Sequence, residues 1–301
     1  MRVTVTGATG TVGQALVREL RERGDEVTAL SRNAERAASS LGVDAQGWKD
    51  PKAEPPPLDS LRGRDAVVHL LGETVAQRWS DDVKREIRDS RILSTRQLVA
   101  GLAELAQDER PRVLVSQSTT GFYGPNGDER LAEDAPAGND FLAYVVRDWE
   151  AEAQKAAELG IRVVLTRTGV VLSQGAGALE KMLPFFKLGV GGPVAGGKQY
   201  VPWVHLDDVV GALVACIDGD LGGPVNVTAP NPVTNKELSK TLGKVLKRPA
   251  FAPVPGLAVE TLYGEMATIV TTGQRVVPAR LEESGYRFRM PDLEAALRAT
   301  V

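Results

Sequence analysis

Three glycines near the N-terminus have the spacing of a phosphate-binding loop. Gly7, Gly10 and Gly13 fit the pattern G-x-x-G-x-x-G, and they lie between a short β-branched segment and a segment with helical periodicity. In such a strand–loop–helix unit the first glycine permits a tight turn, the second lets a pyrophosphate approach, and the third lets helix and strand pack closely. Free N–H groups at the positive end of the helix dipole then hold the phosphates. The other residues of this predicted dinucleotide site are Thr9, Thr11 and Val12.

The residues that end the second predicted strand favour NADP over NAD. An acidic side chain at this point would bind the ribose 2′-hydroxyl of NAD, but the chain has Ser31 and Arg32. A hydroxyl and a guanidinium suit the 2′-phosphate of NADP, because they can form charge-assisted hydrogen bonds to it. A solvated surface arginine is the alternative interpretation of Arg32.

Several side chains in the second half of the chain are candidates for ligand binding. Arg167 and Lys198 can hold an anionic substrate, and Arg167 is also assigned to the cofactor site. Gln199 and Trp203 can line a site for a sugar or a ring-shaped ligand. His205 can transfer protons, because the pKa of an unperturbed histidine lies near neutrality. A structural role is the alternative for His205.

Alternating strand and helix patterns predict an α/β fold with a doubly wound parallel sheet of the Rossmann type. Six strands are predicted at residues 2–6, 26–30, 44–48, 65–72, 112–116 and 162–167. After the helix that follows the glycine loop, further helices are predicted at residues 34–40, 80–106, 140–159, 206–217, 235–246, 257–268 and 291–299. We expect residues 1–168 to form an NADP-binding domain whose sheet later segments complete, and residues 169–301 to form a substrate-side region. Five glycines within residues 189–197 indicate a loop near a ligand or between domains.

The composition narrows the class of protein and its partners. The 301 residues are 43% hydrophobic and 25% charged, which is typical of a globular chain with a substantial core. A net charge of −3 gives no reason to expect nucleic acid or an anionic membrane as a partner. One cysteine and two histidines argue against a disulfide and a metal site. The chain begins directly with a strand pattern, so we expect a cytoplasmic protein. A small-molecule substrate is the expected partner, and a homodimer is left open.

The chain resembles the extended short-chain dehydrogenase/reductases, also called the NAD-dependent epimerase/dehydratase family. The resemblance starts from the glycine loop at residues 6–13 and from the runs at residues 69–73 and 121–124. More specific runs are similar to a branch of sugar-nucleotide-epimerase-like proteins with a small C-terminal domain, here a family-specific tail at about 250–301. These runs are residues 88–91, 141–143, 148–150, 203–208, 273–278 and 285–288. The resemblance covers essentially the whole chain, but it does not specify the substrate.

The resemblance implies roles for individual residues. The family's phosphate loop matches the three N-terminal glycines, and its fourth-strand end, which lines the adenosine ribose, matches Leu71, Gly72 and Glu73. Thr119 precedes Gly124 by five residues, where the family places a hydroxyl that hydrogen-bonds the reacting oxygen. Capping of the strand end is an equally good interpretation of that hydroxyl. The neighbouring candidates are Ser118, as a substitute hydroxyl, and Tyr123, as a substrate contact.

The chain departs from the superfamily at the catalytic Tyr-x-x-x-Lys pair. Tyr144 is a candidate for the tyrosine, but Asp148 stands four residues later where the lysine belongs. Counting back from Arg167 without gaps instead places Val145 and Trp149 at these two positions. The resemblance therefore implies an NADP-dependent oxidoreductase or epimerase that lacks this pair and acts on an unidentified small molecule, such as a nucleotide sugar or a carbonyl compound. A catalytically silent NADP-binding sensor or interaction protein is the alternative.

Overall fold

Thirteen strands and eleven α-helices make up the part of the chain that the structure describes. That structure is a computed structural model, and it describes residues 1–175 and 177–301. The strands are β1 Arg2–Thr6, β2 Glu26–Ser31, β3 Asp44–Gly47, β4 Ala66–His69, β5 Val113–Thr119, β6 Arg130–Leu131, β7 Arg162–Thr168, β8 Val170–Leu172, β9 Tyr200–Val201, β10 Trp203–His205, β11 Gly223–Val227, β12 Val233–Thr234 and β13 Arg275–Val276. The helices are α1 Thr11–Glu22, α2 Ala34–Leu41, α3 Asp81–Ala103, α4 Phe141–Gln154, α5 Gly177–Lys187, α6 Leu206–Asp218, α7 Asn235–Leu246, α8 Gly256–Tyr263, α9 Thr268–Thr271, α10 Ala279–Glu283 and α11 Leu293–Thr300. Short 3-10 helices lie at Leu58–Ser60, Gln107–Glu109, Thr120–Tyr123, Lys155–Leu159 and Gly264–Ala267.

Seven parallel strands form the central sheet in the order β11-β7-β5-β4-β1-β2-β3. The chain runs outward from β1 to β3 and then returns to β4 on the other side of β1, so the strand order reverses between β1 and β4. In register, Thr6 at the end of β1 lies opposite Leu30 and His69. A crevice at such a switch point is where doubly wound sheets bind their ligands. The predicted doubly wound α/β fold is confirmed.

Apolar layers cover both faces of this sheet. Alternate side chains of a strand point to opposite faces, and β4 shows this directly. Val68 belongs to the buried cluster that includes α1 and α6, whereas Val67 belongs to the cluster that includes α3 and α4. Since both faces are covered, the strands bury side chains on both sides of the sheet, up to the end of β1 where the glycine loop starts.

The second half of the chain contributes to the central sheet and also builds a separate cluster. Gly223–Val227 forms the edge strand β11 beside β7. A third apolar cluster gathers residues of α5, α7, β10 and α11. Smaller strand pairs lie around it, with β8 beside β10, β9 beside β12, and β6 beside β13. No helix within residues 1–175 and 177–301 has the length and apolarity to cross a membrane.

The structure differs from the sequence-based predictions at several element boundaries. The fourth strand ends at His69 rather than residue 72, and the helix predicted at 257–268 divides into α8, a 3-10 helix and α9. β11 was not predicted because its Gly, Pro and Asn residues disfavour strands, although an edge strand tolerates proline. Helix α5 was not predicted because it starts at a glycine and contains Pro184.

Candidate functional site

The glycine loop is fixed by close backbone approaches. Gly7 has φ +65°, and a Cβ there would lie 2.8 Å from the carbonyl oxygen of Leu70. A Cβ on Gly13 would lie only 2.3 Å from the carbonyl oxygen of Gly7. These two positions therefore exclude any side chain, and the loop is held tightly between β1, β4 and α1.

The first turn of α1 faces the crevice and can bind an anion. The N–H of Gly10 donates to the carbonyl of Gly7 at 3.0 Å, and α1 begins at the next residue. The first N–H groups of a helix have no partner within it, and here Thr9, Gly10 and Thr11 are exposed while Val12 is half-buried. Such a terminus suits phosphate, as the sequence predicts. The assignment of these residues to the cofactor stays a prediction.

Arg32 directly follows β2, at the same carboxyl end of the strands as the glycine loop. It is exposed and makes no hydrogen bond or ion pair with the residues that the structure describes. The half-buried Ser31 accepts a hydrogen bond from the N–H of Asn33 at 3.3 Å. The guanidinium of Arg32 is thus free to reach a 2′-phosphate.

Two residues of α3 hold the loop that follows β4. Ser90 Oγ accepts a hydrogen bond from the N–H of Glu73 at 3.0 Å, and Arg91 Nη2 donates to the carbonyl of Glu73 at 2.9 Å. Leu71 packs half-buried against the core, while Gly72 and Glu73 are exposed. The run at residues 88–91 was noted from the sequence only as a family motif, and the structure explains it as the support of this loop.

A buried polar chain connects β1, β4, α3 and α4 beneath the crevice. Thr6 Oγ1 lies 2.8 Å from His69 Nδ1, and His69 Nε2 lies 3.1 Å from Thr95 Oγ1. Trp149 Nε1 donates to the same Thr95 oxygen at 2.8 Å. Burial lowers the pKa of His69 to about 3, so the imidazole is neutral at physiological pH. His69 therefore braces the strand ends as a neutral group.

This buried histidine predicts a pH dependence of stability. The unfolded chain binds a proton on His69 near its ordinary pKa, whereas the folded chain does not until pH falls to about 3. The stability that the neutral ring contributes is complete above about pH 6.5 and is lost as pH falls. Between pH 7 and pH 5 we expect a loss of about 2 kcal/mol that His69→Gln does not show. Urea unfolding of both proteins at the two pH values measures this, and parallel pH dependences would contradict it.

Thr119 ends β5 and remains the candidate for contact with a reacting oxygen. It is half-buried, and its Oγ1 accepts a hydrogen bond from the N–H of Gly121 at 3.3 Å. The hydroxyl thus caps the following 3-10 helix. An oxygen that accepts in this way still has its own proton to donate. The capping and the ligand-binding interpretations of Thr119 are therefore compatible.

Arg167 forms a buried ion pair with Glu150, and Ser118 hydrogen-bonds to the same carboxylate. The Glu150 carboxylate on α4 accepts hydrogen bonds from Arg167 Nε at 2.9 Å and Nη2 at 2.8 Å. It also accepts one from Ser118 Oγ at 2.6 Å. Arg167 is only 4% exposed. Burial acts to lower the pKa of Arg167, but the hydrogen bonds and charge of Glu150 outweigh it and the pKa is raised. The structure therefore engages Arg167, predicted for the cofactor or the substrate, and Ser118, predicted for catalysis, within the protein and not in an open site.

Tyr123 extends this buried cluster towards β11 and the C-terminal region. Its hydroxyl donates to Asn226 Oδ1 at 2.7 Å and accepts from Arg167 Nη1 at 3.1 Å. Glu133 Oε1 accepts from the N–H groups of Asn226 at 3.0 Å and Arg280 at 3.2 Å. Burial raises the pKa of Glu133. Tyr123, which the sequence analysis names as a substrate contact, is fully buried, and its hydroxyl is engaged by partners within the protein.

Helix α4 places no tyrosine–lysine pair at the crevice. Tyr144 is 47% exposed, and the guanidinium of Arg147 lies over its ring at 5.2 Å. Val145 and Trp149, which the gap-free count aligns with the pair, face the core. The structure thus shows Tyr144 as a surface aromatic, and its assignment as a catalytic candidate stays a prediction.

The four candidates at residues 198–205 do not form one group. Lys198 is exposed, and Gln199 Nε2 donates to the backbone carbonyls of residues 194 and 270. Trp203 is 1% exposed and lies in the third apolar cluster, so the structure places it in the core and not in an open site. His205 Nδ1 accepts from the N–H of Asp207 at 3.2 Å and caps α6, which is the structural alternative. The glycine loop at 189–197 joins the C-terminal region through the bridge of residues 194 and 254.

An aromatic pair, formed by Trp79 and Phe141, was not predicted from the sequence. The rings of Trp79 and Phe141 meet edge to face at 5.1 Å, and Lys84 Nζ lies 5.1 Å from the Phe141 ring. Lys84 also pairs with Glu265 of the C-terminal region. Since Trp79 lies in a loop without periodicity, only the structure could place it here.

The comparisons with known proteins agree with this architecture. Residues 3–228 match the model of the NAD dependent epimerase/dehydratase family, and residues 254–300 match a domain of unknown function, DUF1731. The chloroplastic epimerase family protein SDR39U1 homolog of Arabidopsis thaliana is 40% identical over 309 residues, which cover 99% of this chain and 86% of that protein. The epimerase family protein SDR39U1 of Mus musculus is 37% identical over 307 residues, covering both chains completely.

Solved structures agree as well. The crystal structure of human epimerase family protein SDR39U1 (isoform 2) with NADPH has a TM-score of 0.89 and 34% identity, covering 99% of this chain and 98% of that one. UDP-glucuronic acid 4-epimerase from Bacillus cereus, in complex with UDP-glucuronic acid and NAD, has a TM-score of 0.79 over 99% of this chain and 97% of its own, and its 16% identity shows the shared fold. The family model covers well over half of the chain, and the relatives match it almost from end to end. The chain therefore belongs to the NAD dependent epimerase/dehydratase family.

Proposed function

We propose that this chain binds NADPH across the carboxyl ends of its strands and transfers a hydride between the nicotinamide and a small-molecule substrate. The observation that carries the proposal is the glycine loop, where Gly7 and Gly13 exclude side chains and the first turn of α1 is exposed at the switch point. The human relative that was crystallised with NADPH supports this cofactor. The substrate class is a carbonyl compound or a nucleotide sugar.

In this proposal the residues of the chain bind and orient the reactants. The N–H groups of α1 hold the diphosphate, Arg32 pairs with the 2′-phosphate, and the loop at Gly72 lines the adenosine ribose. Thr119 donates a hydrogen bond to the oxygen of the reacting carbon. When bound, the nicotinamide supplies or accepts the hydride.

A substitution at the end of β2 tests the cofactor. We expect Arg32→Ala to weaken NADPH binding about tenfold to a hundredfold and to leave NADH binding unchanged, because only NADPH carries the 2′-phosphate. Fluorescence titration with both cofactors measures the effect. Arg36→Ala is the matched control, since Arg36 is an exposed arginine of the adjoining helix α2. Equal affinity of the parent for both cofactors, or an equal loss in the control, would contradict NADP selectivity.

A catalytically silent NADPH-binding protein is the second candidate function. It is favoured by α4, where Tyr144 is exposed and the buried Trp149 stands at the aligned lysine position. NADPH absorbance followed with a panel of carbonyl compounds, together with product analysis of nucleotide sugars incubated with NADP+, separates the two. Oxidation of NADPH or epimerisation of a nucleotide sugar supports the enzyme, whereas binding without either reaction across the panel supports the sensor.

A further inference from the structure

The guanidinium of Arg91 lies at the carboxyl end of β4, beside the crevice. Nη1 donates to the carbonyl of Ile87 at 3.0 Å, and Nη2 donates to the carbonyl of Glu73 at 2.9 Å. A Cβ on Gly72 would lie 3.0 Å from Arg91 Cζ. The positive charge is therefore in contact with the loop that follows the switch-point strand.

This cation has no carboxylate bound to it. Within residues 1–175 and 177–301 Arg91 forms no ion pair and its Nε makes no hydrogen bond, while the charge of Glu73 acts on it only through space. Burial lowers the pKa of Arg91 to about 10, so the group remains charged at neutral pH. Arg91 is half-buried, and of the five N–H donors of its guanidinium the protein engages one on Nη1 and one on Nη2. We therefore expect an oxygen-rich ligand to complete its hydrogen bonds.

The ring beneath Arg91 is that of Trp149. The guanidinium carbon lies 5.4 Å from the ring centroid, within the range of a cation–π contact. Trp149 occupies the position that the gap-free count aligns with the missing lysine, and its indole N–H is already engaged by Thr95. The indole thus has no donor for a ligand, whereas the arginine above it has.

We propose that Arg91 replaces the missing lysine as the cation that donates hydrogen bonds to the nicotinamide-side ribose of the dinucleotide. This inference rests on the proposed binding of NADPH. The sheet order places β2 and Arg32 at the 2′-phosphate, β1 and α1 at the diphosphate, and β5 and Thr119 at the reacting end. Arg91 contacts the Glu73 carbonyl, at the far end of the loop assigned to the adenosine ribose, and also the Trp149 ring on α4, so we assign it to the next sugar of the dinucleotide, the one that precedes the nicotinamide.

Two ligands of different length test this position. NADPH contains the nicotinamide ribose, whereas adenosine 2′,5′-bisphosphate ends before it. We expect Arg91→Gln to weaken NADPH binding about tenfold to a hundredfold and to leave binding of the bisphosphate unchanged. Arg91→Lys keeps the charge without the fork of donors, so its loss for NADPH should be smaller. The matched control is Arg88→Gln, an exposed arginine on the same helix, which should change neither affinity.

The outcomes separate this inference from the proposed function. A parent protein that binds neither ligand refutes the proposed function and this inference with it. If the parent binds both, equal losses for both ligands in Arg91→Gln would show that Arg91 only holds the loop at Glu73, and no loss would show that it is dispensable; either overturns the inference. Should Arg91→Gln fail to fold, Arg91→Lys gives the same comparison, and a selective loss for NADPH is still required.

Discussion

Replacing Glu150 with glutamine is expected to lower the free energy of unfolding by about 3–5 kcal/mol, because it leaves the buried guanidinium of Arg167 without a counter-charge. The two side chains are 9% and 5% exposed, so water cannot replace the lost carboxylate charge. Glutamine has nearly the same volume as glutamate and can still accept from Ser118. The expected loss is therefore electrostatic and does not arise from a cavity. Urea unfolding of the protein without ligand measures it.

The same helix offers a matched control for this prediction. Glu152 is as buried as Glu150, at 8% for each residue, but its partners Arg96 and Lys155 are about half exposed. Ion pairs with solvated partners contribute about 0–1 kcal/mol, so Glu152→Gln should cost no more than that. Equal losses in the two variants would contradict the prediction. A double variant, Glu150→Leu with Arg167→Met, should be more stable than Glu150→Leu alone or Arg167→Met alone, since it leaves no unpaired buried charge.

The ion pair affects the candidate site through the backbone. Ser118 donates to Glu150, and the next residue is Thr119. On the other side of the pair, Arg167 reaches Tyr123, whose 3-10 helix Thr119 caps. The end of β5 is thus held from both directions. We infer that the cluster gives the Thr119 hydroxyl a fixed position, which a group that hydrogen-bonds a reacting oxygen requires.

The sequence predicted those features that follow from periodicity and from local glycine geometry. The first strand, the glycine loop and α1 form a continuous local pattern, and the structure places them as expected. Gly13 had to be glycine because the loop folds back on it at Gly7 and Ala8, six and five residues earlier, and that distance along the chain is short enough for a motif to record. The family resemblance extended the prediction to the whole fold.

The roles of single polar residues could not be predicted in this way. Arg167 and Trp203 have the types of side chain that bind ligands, but their burial depends on partners 17 and 28 residues away, namely Glu150 and the carbonyl of Asn231. Arg91 is the opposite case, because its position in the helix pattern of α3 is typical of a surface arginine. Its proximity to Trp149 arises only when α3 and α4 pack together. Long-range contacts of this kind carry no local sequence signal.

Catalysis, where a substrate is found, is expected to depend on Thr119 and not on Tyr144. Thr119→Val should lower kcat about a hundredfold to a thousandfold, the range for loss of one hydrogen-bond donor to a developing oxyanion. Tyr144→Phe should have little effect, because the phenol is 47% exposed on α4. An unassisted phenol also has a pKa near 10 and is a poor base at neutral pH. Steady-state oxidation of NADPH with the identified substrate measures both variants.

Two controls separate the chemical role of Thr119 from its role as a cap. Thr119→Ser keeps the hydroxyl, so it should retain most of the activity, whereas valine keeps the shape and loses the hydrogen bond. NADPH affinity and thermal unfolding should be similar in the two variants if the cap at Gly121 contributes little. A serine variant as inactive as the valine variant would show that the methyl group matters and not the hydroxyl. Loss of turnover in Tyr144→Phe with intact NADPH binding would instead assign proton transfer to the exposed phenol, which requires α4 to present Tyr144 to the crevice during turnover.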